Sequence, residues 1–234
     1  YKKIMKLSVV IPCYNEKLTI ETIVNKVLKF NLYEKEIIII DDCSTDSSKD
    51  IIKDLANNNS EIKALFLEKN VGKGGALKRG IQEVAGDIVL IQDADLEYDP
   101  KDYPALLKPF SETDADIVYG SRFFGGEYVR LHFFWHFLAN KLLTFCSNIV
   151  TNLNMTDMET GYKVFKKTVI QSIDIKENSF GIEPEITVKL AKKKYIFYEV
   201  PISYKGRSYN EGKKITLKDA FVALYCIFKY RFFD

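Results

Sequence analysis

The stretch DIVLIQDADLEYDP, Asp87 to Pro100, decides the fold. Ile88, Val89, Leu90 and Ile91 form an apolar run of β-forming side chains, the pattern of a short strand buried on both faces, and it stops abruptly at Gln92 and Asp93. Carboxylates therefore stand where a strand ends. In an open α/β sheet the ligand crevice lies outside the carboxyl ends of the strands, which is where Asp93, Asp95 and Glu97 would fall. That is a place for a hard cation: Mg²⁺ or Mn²⁺ takes one or two carboxylates and completes its shell with water and phosphate oxygens, and the D-x-D-x-E spacing suits it. A solvated acidic turn that caps a helix is the other reading of the same residues.

Upstream of this stretch the same grammar repeats. Leu7 to Ile11 reads as a strand broken by Pro12, with Cys13, Tyr14, Asn15 and Glu16 as the loop at its carboxyl end. Ile20, Ile23, Val24, Val27 and Leu28 make one helical stripe. Glu36 to Ile40 is a second strand, ending at Asp41 and Asp42, and Ser44 to Ser48 offer helix N-caps before Ile51, Ile52 and Leu55. Ile62 to Leu67 is a third strand. The loop Asn70 to Ala76, NVGKGGA, leads from it into a helix carrying Leu77 and Ile81. Its glycines suit either an anion or ribose cradle or a tight turn with close helix packing. The Walker spacing of Lys and Ser/Thr is not met, so a P-loop is excluded.

Downstream, a helix is expected near Asp102 to Phe110 and a short strand at Ile117 to Tyr119, running into Gly120, Ser121 and Arg122. Repeated alternation of strand and helix implies an α/β fold: a Rossmann-like, doubly wound, mostly parallel sheet with helices on both faces. Each strand end carries something polar, and that convergence outweighs any single motif.

From Leu131 the character changes. Leu131, Phe134, Trp135, Leu138, Leu142, Phe145 and Ile149 trace one helical stripe, either for core packing or for lying in a bilayer interface. Asp157 and Glu159 are candidate acid/base groups, or carboxylates capping a turn before the short strand at Val164 and Phe165. Phe180 to Glu185 starts a helix, with Pro184 expected at its first position and the glutamates at its positive pole, and Lys192 to Lys194 close it. Tyr195 to Tyr204 is strand-like. Lys205, Gly206, Arg207, Gly212, Lys213 and Lys214 then make a basic loop suited to closing over a diphosphate. Ile215 to Phe233 has the aromatic and basic composition of a helix at a headgroup boundary, with core docking as the plainer reading.

Bulk properties narrow the class. The 234 residues suffice for one sizeable core, and a formal charge of +2 gives no global basic field for nucleic acid. Cys13, Cys43, Cys146 and Cys226 form no C-x-x-C pair and fit reduced thiols in a cytoplasmic protein. His132 and His136 stand at i, i+4, but neither a third ligand nor the glutamate of a metalloprotease accompanies them. Leu7 to Ile11 is too short for the apolar core of a signal peptide, and no apolar run approaches the roughly 18 residues of a membrane span.

Taken in order, VVIPCYNE, IIIIDDCSTD, NVGKGGAL, DADLE, GSRFFGG, DMETGYKVF and RSYNEGKKI resemble the family 2 glycosyltransferases of GT-A fold, closest to the polyprenyl-phosphate sugar synthases that make dolichyl-phosphate mannose or glucose. The resemblance implies a single catalytic domain over 1–234: a nucleotide-sugar half at about 5–125, an acceptor half at about 126–215, and a C-terminal helix at 216–234. It places Pro12, Tyr14, Glu16 and Asp41 at the nucleobase and ribose, with the Gly72 to Gly74 loop and its Lys73 beside them. Asp93 and Asp95 take the D-x-D role, with Glu97 as a further metal ligand where many mannose-type relatives carry glutamine. Arg122 and Arg130 would bind the acceptor phosphate, Arg207 and Lys213 the donor diphosphate, and Asp157 matches the catalytic carboxylate of inverting members.

The expected activity is metal-dependent inverting transfer of glucose or mannose from UDP-glucose or GDP-mannose to a polyprenyl phosphate, at the cytoplasmic face of a membrane. Anchored relatives carry spanning helices that this sequence lacks, so a peripheral surface or a separate anchoring partner is expected instead. A lipid phosphate is mostly dianionic at neutral pH and attacks without a base, whereas a sugar hydroxyl acceptor would need Asp157 to deprotonate it. Transfer to a hydroxyl in cell-surface polysaccharide synthesis is thus the second reading, and a receiver-like signalling module built on Asp41 and Asp42 is a remote third.

Overall fold

Runs of branched aliphatic residues build the sheet. The computed structural model describes residues 5–124, 134–206 and 217–234. Its strands are β1 (Leu7–Cys13), β2 (Lys35–Asp41), β3 (Ile62–Phe66), β4 (Ile88–Ile91), β5 (Ile117–Ser121), β6 (Lys163–Lys166) and β7 (Phe197–Pro201). They form one sheet in the order β3-β2-β1-β4-β6-β5-β7. β1 pairs in parallel with both β2 and β4, β2 with β3, and β5 with β7. β6 alone runs antiparallel, wedged between β4 and β5, so that Val164 faces Leu90 on one side and Val118 on the other.

Helices cover both faces, and the alternation of each strand assigns its side chains to one or the other. Leu7, Val9 and Ile11 of β1, with Ile37 and Ile39 of β2, pack against α1 (Ile20–Lys29), α2 (Ser48–Asn58) and α4 (Tyr103–Glu112). Val10, Ile38 and Ile40 pack on the opposite face, against α3 (Gly72–Ile81), α5 (Phe134–Thr151), α6 (Lys167–Ile170), α7 (Ile182–Lys192) and α8 (Leu217–Phe232). Ile37 to Ile40 are completely buried, each side chain contributing roughly 1.5–3 kcal/mol of transfer free energy.

The α/β, doubly wound and mostly parallel sheet matches the sequence reading, with three local differences. The last strand is shorter than the Tyr195 to Tyr204 stretch. Pro184 occupies the third position of α7, not the first, because the helix already starts at Ile182; its absent N–H still falls within the first turn. Ser47 stands at the N-cap of α2 without a side-chain cap bond, and the Asp46 carboxylate accepts the Ser48 N–H in its stead.

The apolar stripe of α5 points outward. Phe134, Trp135, Leu138, Leu142, Phe145 and Ile149 are exposed, whereas the buried residues of the helix are Leu143, Thr144, Ser147 and Val150. α8 packs beside α5 and exposes Phe221, Tyr225, Phe228 and Phe232, and Phe233 just beyond its end is exposed as well. No described helix is long and apolar enough to cross a membrane.

Candidate active site

The polar ends of the central strands converge as the alternation implied. The loop after β1 is sewn to the loop after β2: Asn15, in the left-handed region at φ 55°, receives the Thr45 N–H on Oδ1 at 2.8 Å, and its own N–H donates to Ser44 Oγ at 3.0 Å. The Glu16 N–H donates to Ser48 Oγ at 2.9 Å. This stitching presents Pro12, Cys13, Tyr14 and Glu16 to a cleft of about 1000 Å³.

Asp41 and Asp42 divide their tasks. Asp41 is fully buried; Oδ2 accepts the Ser44 N–H at 3.3 Å, and Oδ1 has no hydrogen-bond partner among the described residues. It is Asp42 that lines the cleft, and its two oxygens accept the N–H groups of Val71 and Gly72 at 2.8 Å each. Gly72 is at φ +85°, and a Cβ there would come within 2.2 Å of the Asn178 carbonyl oxygen. Gly74 donates its N–H to that same carbonyl at 2.9 Å. Three amides of the glycine loop are thus spent on Asp42 and Asn178 and do not cradle an anion; the tight-packing reading holds there. Gly72 is not among the cleft walls, and the loop contributes Lys73 and Ala76 to them.

Lys73 Nζ lies 2.9 Å from Asp93 Oδ1 and 3.0 Å from Glu183 Oε1. Burial by itself would lower this ammonium, but Asp93 and then Glu183 more than offset that and hold it well above its ordinary range. Behind Asp93 stands Gly161, where a Cβ would meet Asp93 Oδ2 at 2.4 Å, so only glycine lets the strand-end carboxylate occupy its place. The Gly161 N–H donates to the Tyr98 hydroxyl at 2.8 Å. Glu159, two residues earlier, lines the cleft with Oε1 unpartnered among the described residues. Burial, followed by the Glu183 carboxylate, pushes the Glu159 carboxyl up; burial pushes the Lys163 ammonium down, against the pull of Glu183 and Glu159.

Asp93, Asp95 and Glu97 all line the cleft, but they do not converge as a triad. The Glu97 carboxylate accepts the Tyr204 hydroxyl at 2.8 Å, its carbonyl accepts the Lys205 N–H at 2.9 Å, and its own N–H donates to Asp95 Oδ1 at 3.0 Å. Among the described residues no group of three acidic, histidine or cysteine side chains is arranged to hold a metal. In this arrangement Glu97 tethers the segment around Tyr204 and is not gathered with Asp93 and Asp95 as a third ligand. Asp93 and Asp95 remain, and two cleft-lining carboxylates suit Mg²⁺ or Mn²⁺, whose other positions go to phosphate and water.

Arg122, at the end of β5, lines the cleft and grips Asp157. Nε and Nη2 donate to Oδ2 and Oδ1 at 2.7 Å each. The Asp157 and Thr156 N–H groups both bond to Glu199 on β7, fixing the turn from behind. Asp157 is fully buried and is not a cleft wall, so the candidate catalytic carboxylate is placed as the support of Arg122. The guanidinium also lies 5.1 Å from the Tyr204 ring centroid and 5.5 Å from that of Phe123. Arg130, Arg207 and Lys213 lie outside the described residues. Beyond Arg122 the cleft turns apolar, walled by Trp135, Leu138, Leu142 and Leu143 of α5 and Ala220 and Ala223 of α8.

Glu183 and Tyr204 escaped the sequence reading as site residues. The position of Glu183 in a helix's first turn gave it a sufficient local role, and nothing near Tyr204 in sequence signals its contact with Glu97.

The comparisons with known proteins agree with this geometry. The model of the family described as glycosyl transferase family 2 matches residues 8–173. The chain is 28% identical over 212 residues to a dolichol-phosphate mannosyltransferase of Pyrococcus furiosus, covering 89% of this chain and 59% of that protein. It is 27% identical over 220 residues to an undecaprenyl-phosphate mannosyltransferase of Micrococcus luteus, covering 89% of this chain and 87% of the relative. Among solved structures it is similar to glucosyl-3-phosphoglycerate synthase from Mycobacterium tuberculosis, captured with Mn²⁺, UDP and glucosyl-3-phosphoglycerate, at a TM-score of 0.72 and 18% identity over 97% of this chain and 80% of the other. Mannosyl-3-phosphoglycerate synthase from Rubrobacter xylanophilus gives 0.73 and 18%, over 97% and 72%. These structural likenesses establish a GT-A fold. With the family match spanning most of the sequence and both strand-end aspartates in one cleft with Tyr14 and Arg122, the chain belongs to glycosyl transferase family 2.

Proposed function

We propose that this protein transfers a hexose, glucose or mannose, from a nucleoside diphosphate sugar to a polyprenyl phosphate with inversion. The observation that carries this reading is the two-natured cleft: acidic and basic groups at the strand ends open onto a mostly apolar wall of α5 and α8, in which His136, Asn140 and Asp219 also stand. A charged donor and a lipid acceptor need that combination; a hydroxyl acceptor in water does not.

In this reading Pro12, Tyr14 and Glu16 receive the nucleoside, with the unpartnered oxygen of Asp41 behind them. Asp93 and Asp95 would hold Mg²⁺ or Mn²⁺, which supplies positive charge against the diphosphate leaving group. Lys73 orients Asp93 through their 2.9 Å contact. Arg122, held by Asp157, receives the acceptor phosphate, and sequence alone assigns Arg130 to the same task and Arg207 and Lys213 to the donor diphosphate.

An acceptor phosphate oxygen attacks the anomeric carbon, the bond from that carbon to the diphosphate oxygen breaks, and the nucleoside diphosphate leaves with the bonding pair. The phosphate's second pKa near 6 leaves it ionised at neutral pH, so no base is required. Asp157 suits that chemistry, since Arg122 occupies both its oxygens and a base must reach the acceptor proton.

The outward aromatic faces of α5 and α8 are read as the contact with a bilayer surface, at the cytoplasmic side where sugar nucleotides are made. Incubation with UDP-glucose or GDP-mannose, Mn²⁺ and a short-chain polyprenyl phosphate is expected to give a chelator-sensitive glycolipid. Absence of product from every donor would count against this function.

A further inference from the structure

We propose that Glu159 and Glu183 recognise the hexose of the sugar nucleotide, each through a hydrogen bond with a sugar hydroxyl. The inference rests on the reading of the cleft as a sugar-nucleotide site and goes beyond it, because no motif assigns either side chain to the sugar.

Both carboxylates line the cleft, and each has one buried oxygen, Oε1 of Glu159 and Oε2 of Glu183, with no hydrogen-bond partner among the described residues. Glu183 is only 8% exposed, so its spare oxygen has little access to bulk water. Its other oxygen is fixed by Lys73, which also binds Asp93. Glu159 belongs to the same corner, since Gly161, two residues on, abuts Asp93. Both residues are thus tied to the strand-end aspartate beside which the diphosphate is expected, Glu183 through Lys73 and Glu159 through the turn at Gly161, and the sugar must follow there.

Charge decides what kind of ligand they take. Asp93 and Glu183 pair with Lys73 beside Lys163, burial pushes the Glu159 carboxyl up, and Arg122 and Asp157 neutralise one another. The lysines leave little negative charge to hold a second cation, and the carboxylates repel a second phosphate. The Glu183 carboxylate only accepts hydrogen bonds, whereas the Glu159 carboxyl, pushed up by burial, can accept or donate, so the matching ligand is neutral and rich in hydroxyls, which do both. The hexose has that chemistry; a polyprenyl phosphate has no hydroxyl to offer. Two carboxyl groups at fixed positions would also separate one hexose epimer from another, because an inverted hydroxyl leaves a buried oxygen unpaired.

The test titrates UDP, GDP, UDP-glucose and GDP-mannose, each with Mn²⁺, into the wild-type protein and into Glu159→Gln and Glu183→Gln. Both variants are expected to hold the nucleoside diphosphates within about twofold of wild type and to lose roughly tenfold to hundredfold for the preferred sugar nucleotide. Donors lacking one hydroxyl at a time separate contact from structure. Wild type should discriminate against the absence of one or two particular hydroxyls, and the matching variant should not. Unchanged sugar-nucleotide affinity in both variants overturns the inference, as does a loss spread evenly over all deoxygenated donors. If the variants do not fold, equal binding of every deoxygenated donor by the wild type overturns it alone. Failure of wild type to bind any nucleoside diphosphate would overturn the sugar-nucleotide reading itself, and the inference with it.

Discussion

The Arg122 guanidinium and the Asp157 carboxylate form a two-point fork, with both side-chain contacts at 2.7 Å and a third bond from the Arg122 backbone N–H to Oδ2 at 3.1 Å. Asp157 is fully buried, so removing it strands a cation against a low-dielectric wall. Asp157→Ala is expected to lower stability by about 3–5 kcal/mol in urea unfolding, the range for breaking a buried pair from one side. Asp157→Asn retains the shape but not the charge, and should raise the acceptor's KM while nucleoside diphosphate binding persists. A variant with normal acceptor KM would remove Arg122 from the acceptor site.

The positive φ of Gly72 gives a second expectation. Alanine there meets the Asn178 carbonyl at 2.2 Å and must also accept a left-handed backbone, which costs about 1–2 kcal/mol before the clash is counted. Gly72→Ala should therefore destabilise by more than about 2 kcal/mol in urea unfolding. A change below about 0.5 kcal/mol, the scatter of neutral surface substitutions, would mean that the loop is not held against residues 177 and 178.

Metal dependence can be separated from folding. Nucleoside diphosphate binding is expected to strengthen with Mn²⁺ in the wild type and to lose that dependence in Asp95→Asn, which leaves the ion pairs of Lys73 with Asp93 and Glu183 in place. Glu97→Gln should keep the dependence, because Glu97 serves Tyr204. Equal losses in the two variants would restore the three-carboxylate site. Calorimetry with and without chelator reads both outcomes.

Trp135 and Phe145 of α5 and Phe221 of α8 are 74%, 62% and 72% exposed, and substituting all three with serine takes nothing from the core. Partition onto vesicles containing anionic lipid is expected to fall at least about tenfold, a modest share of the transfer free energy of three aromatic rings. Thermal stability should be unchanged. Equal sedimentation of variant and wild type with vesicles would exclude this face as the membrane contact.

Glu36 sets an acid limit. Burial would raise its carboxyl, but the Ser8 hydroxyl and the amides of Ala85 and Gly86 outweigh burial and hold it below its ordinary 4.5. A carboxyl lowered by folding contributes stability above its unfolded pKa and loses it as pH falls through the folded value. Melting temperature should therefore drop below pH 4.5, and Glu36→Gln should flatten that part of the profile while lowering stability at neutral pH. A variant with the wild-type acid slope would show that other carboxylates govern it.

Much of this molecule was legible because its strands are uniform apolar runs ended by polar residues, which mark both the sheet and the mouth of the cleft. The direction of β6 was not. Four residues, Lys163 to Lys166, form a strand whose side chains look the same either way, and only pairing with β4 and β5 makes it antiparallel. Asp41 and Asp42 were seen together, yet which of them faces the cleft depends on where the strand stops, to within one residue. The contacts of Glu97 with Tyr204 and of Lys73 with Glu183 span separations of 107 and 110 in sequence, too far for spacing to report. The stripe on α5 was read correctly as a stripe, while its outward direction belongs to the tertiary packing.

The wedging of β6 between β4 and β5 has a consequence for how the polypeptide comes off the ribosome. Translation completes the four parallel strands through Ile91 well before Lys163 emerges, so β4 waits with one row of amides and carbonyls unmated. Such a waiting edge invites pairing with foreign chains. Pulse-labelled exchange during refolding should find the amides of Val9 and Val10 protected early and those that join β4 to β6 protected last. The nascent chain's vulnerable interval is thus set by the distance from one acidic turn to the strand that seals it.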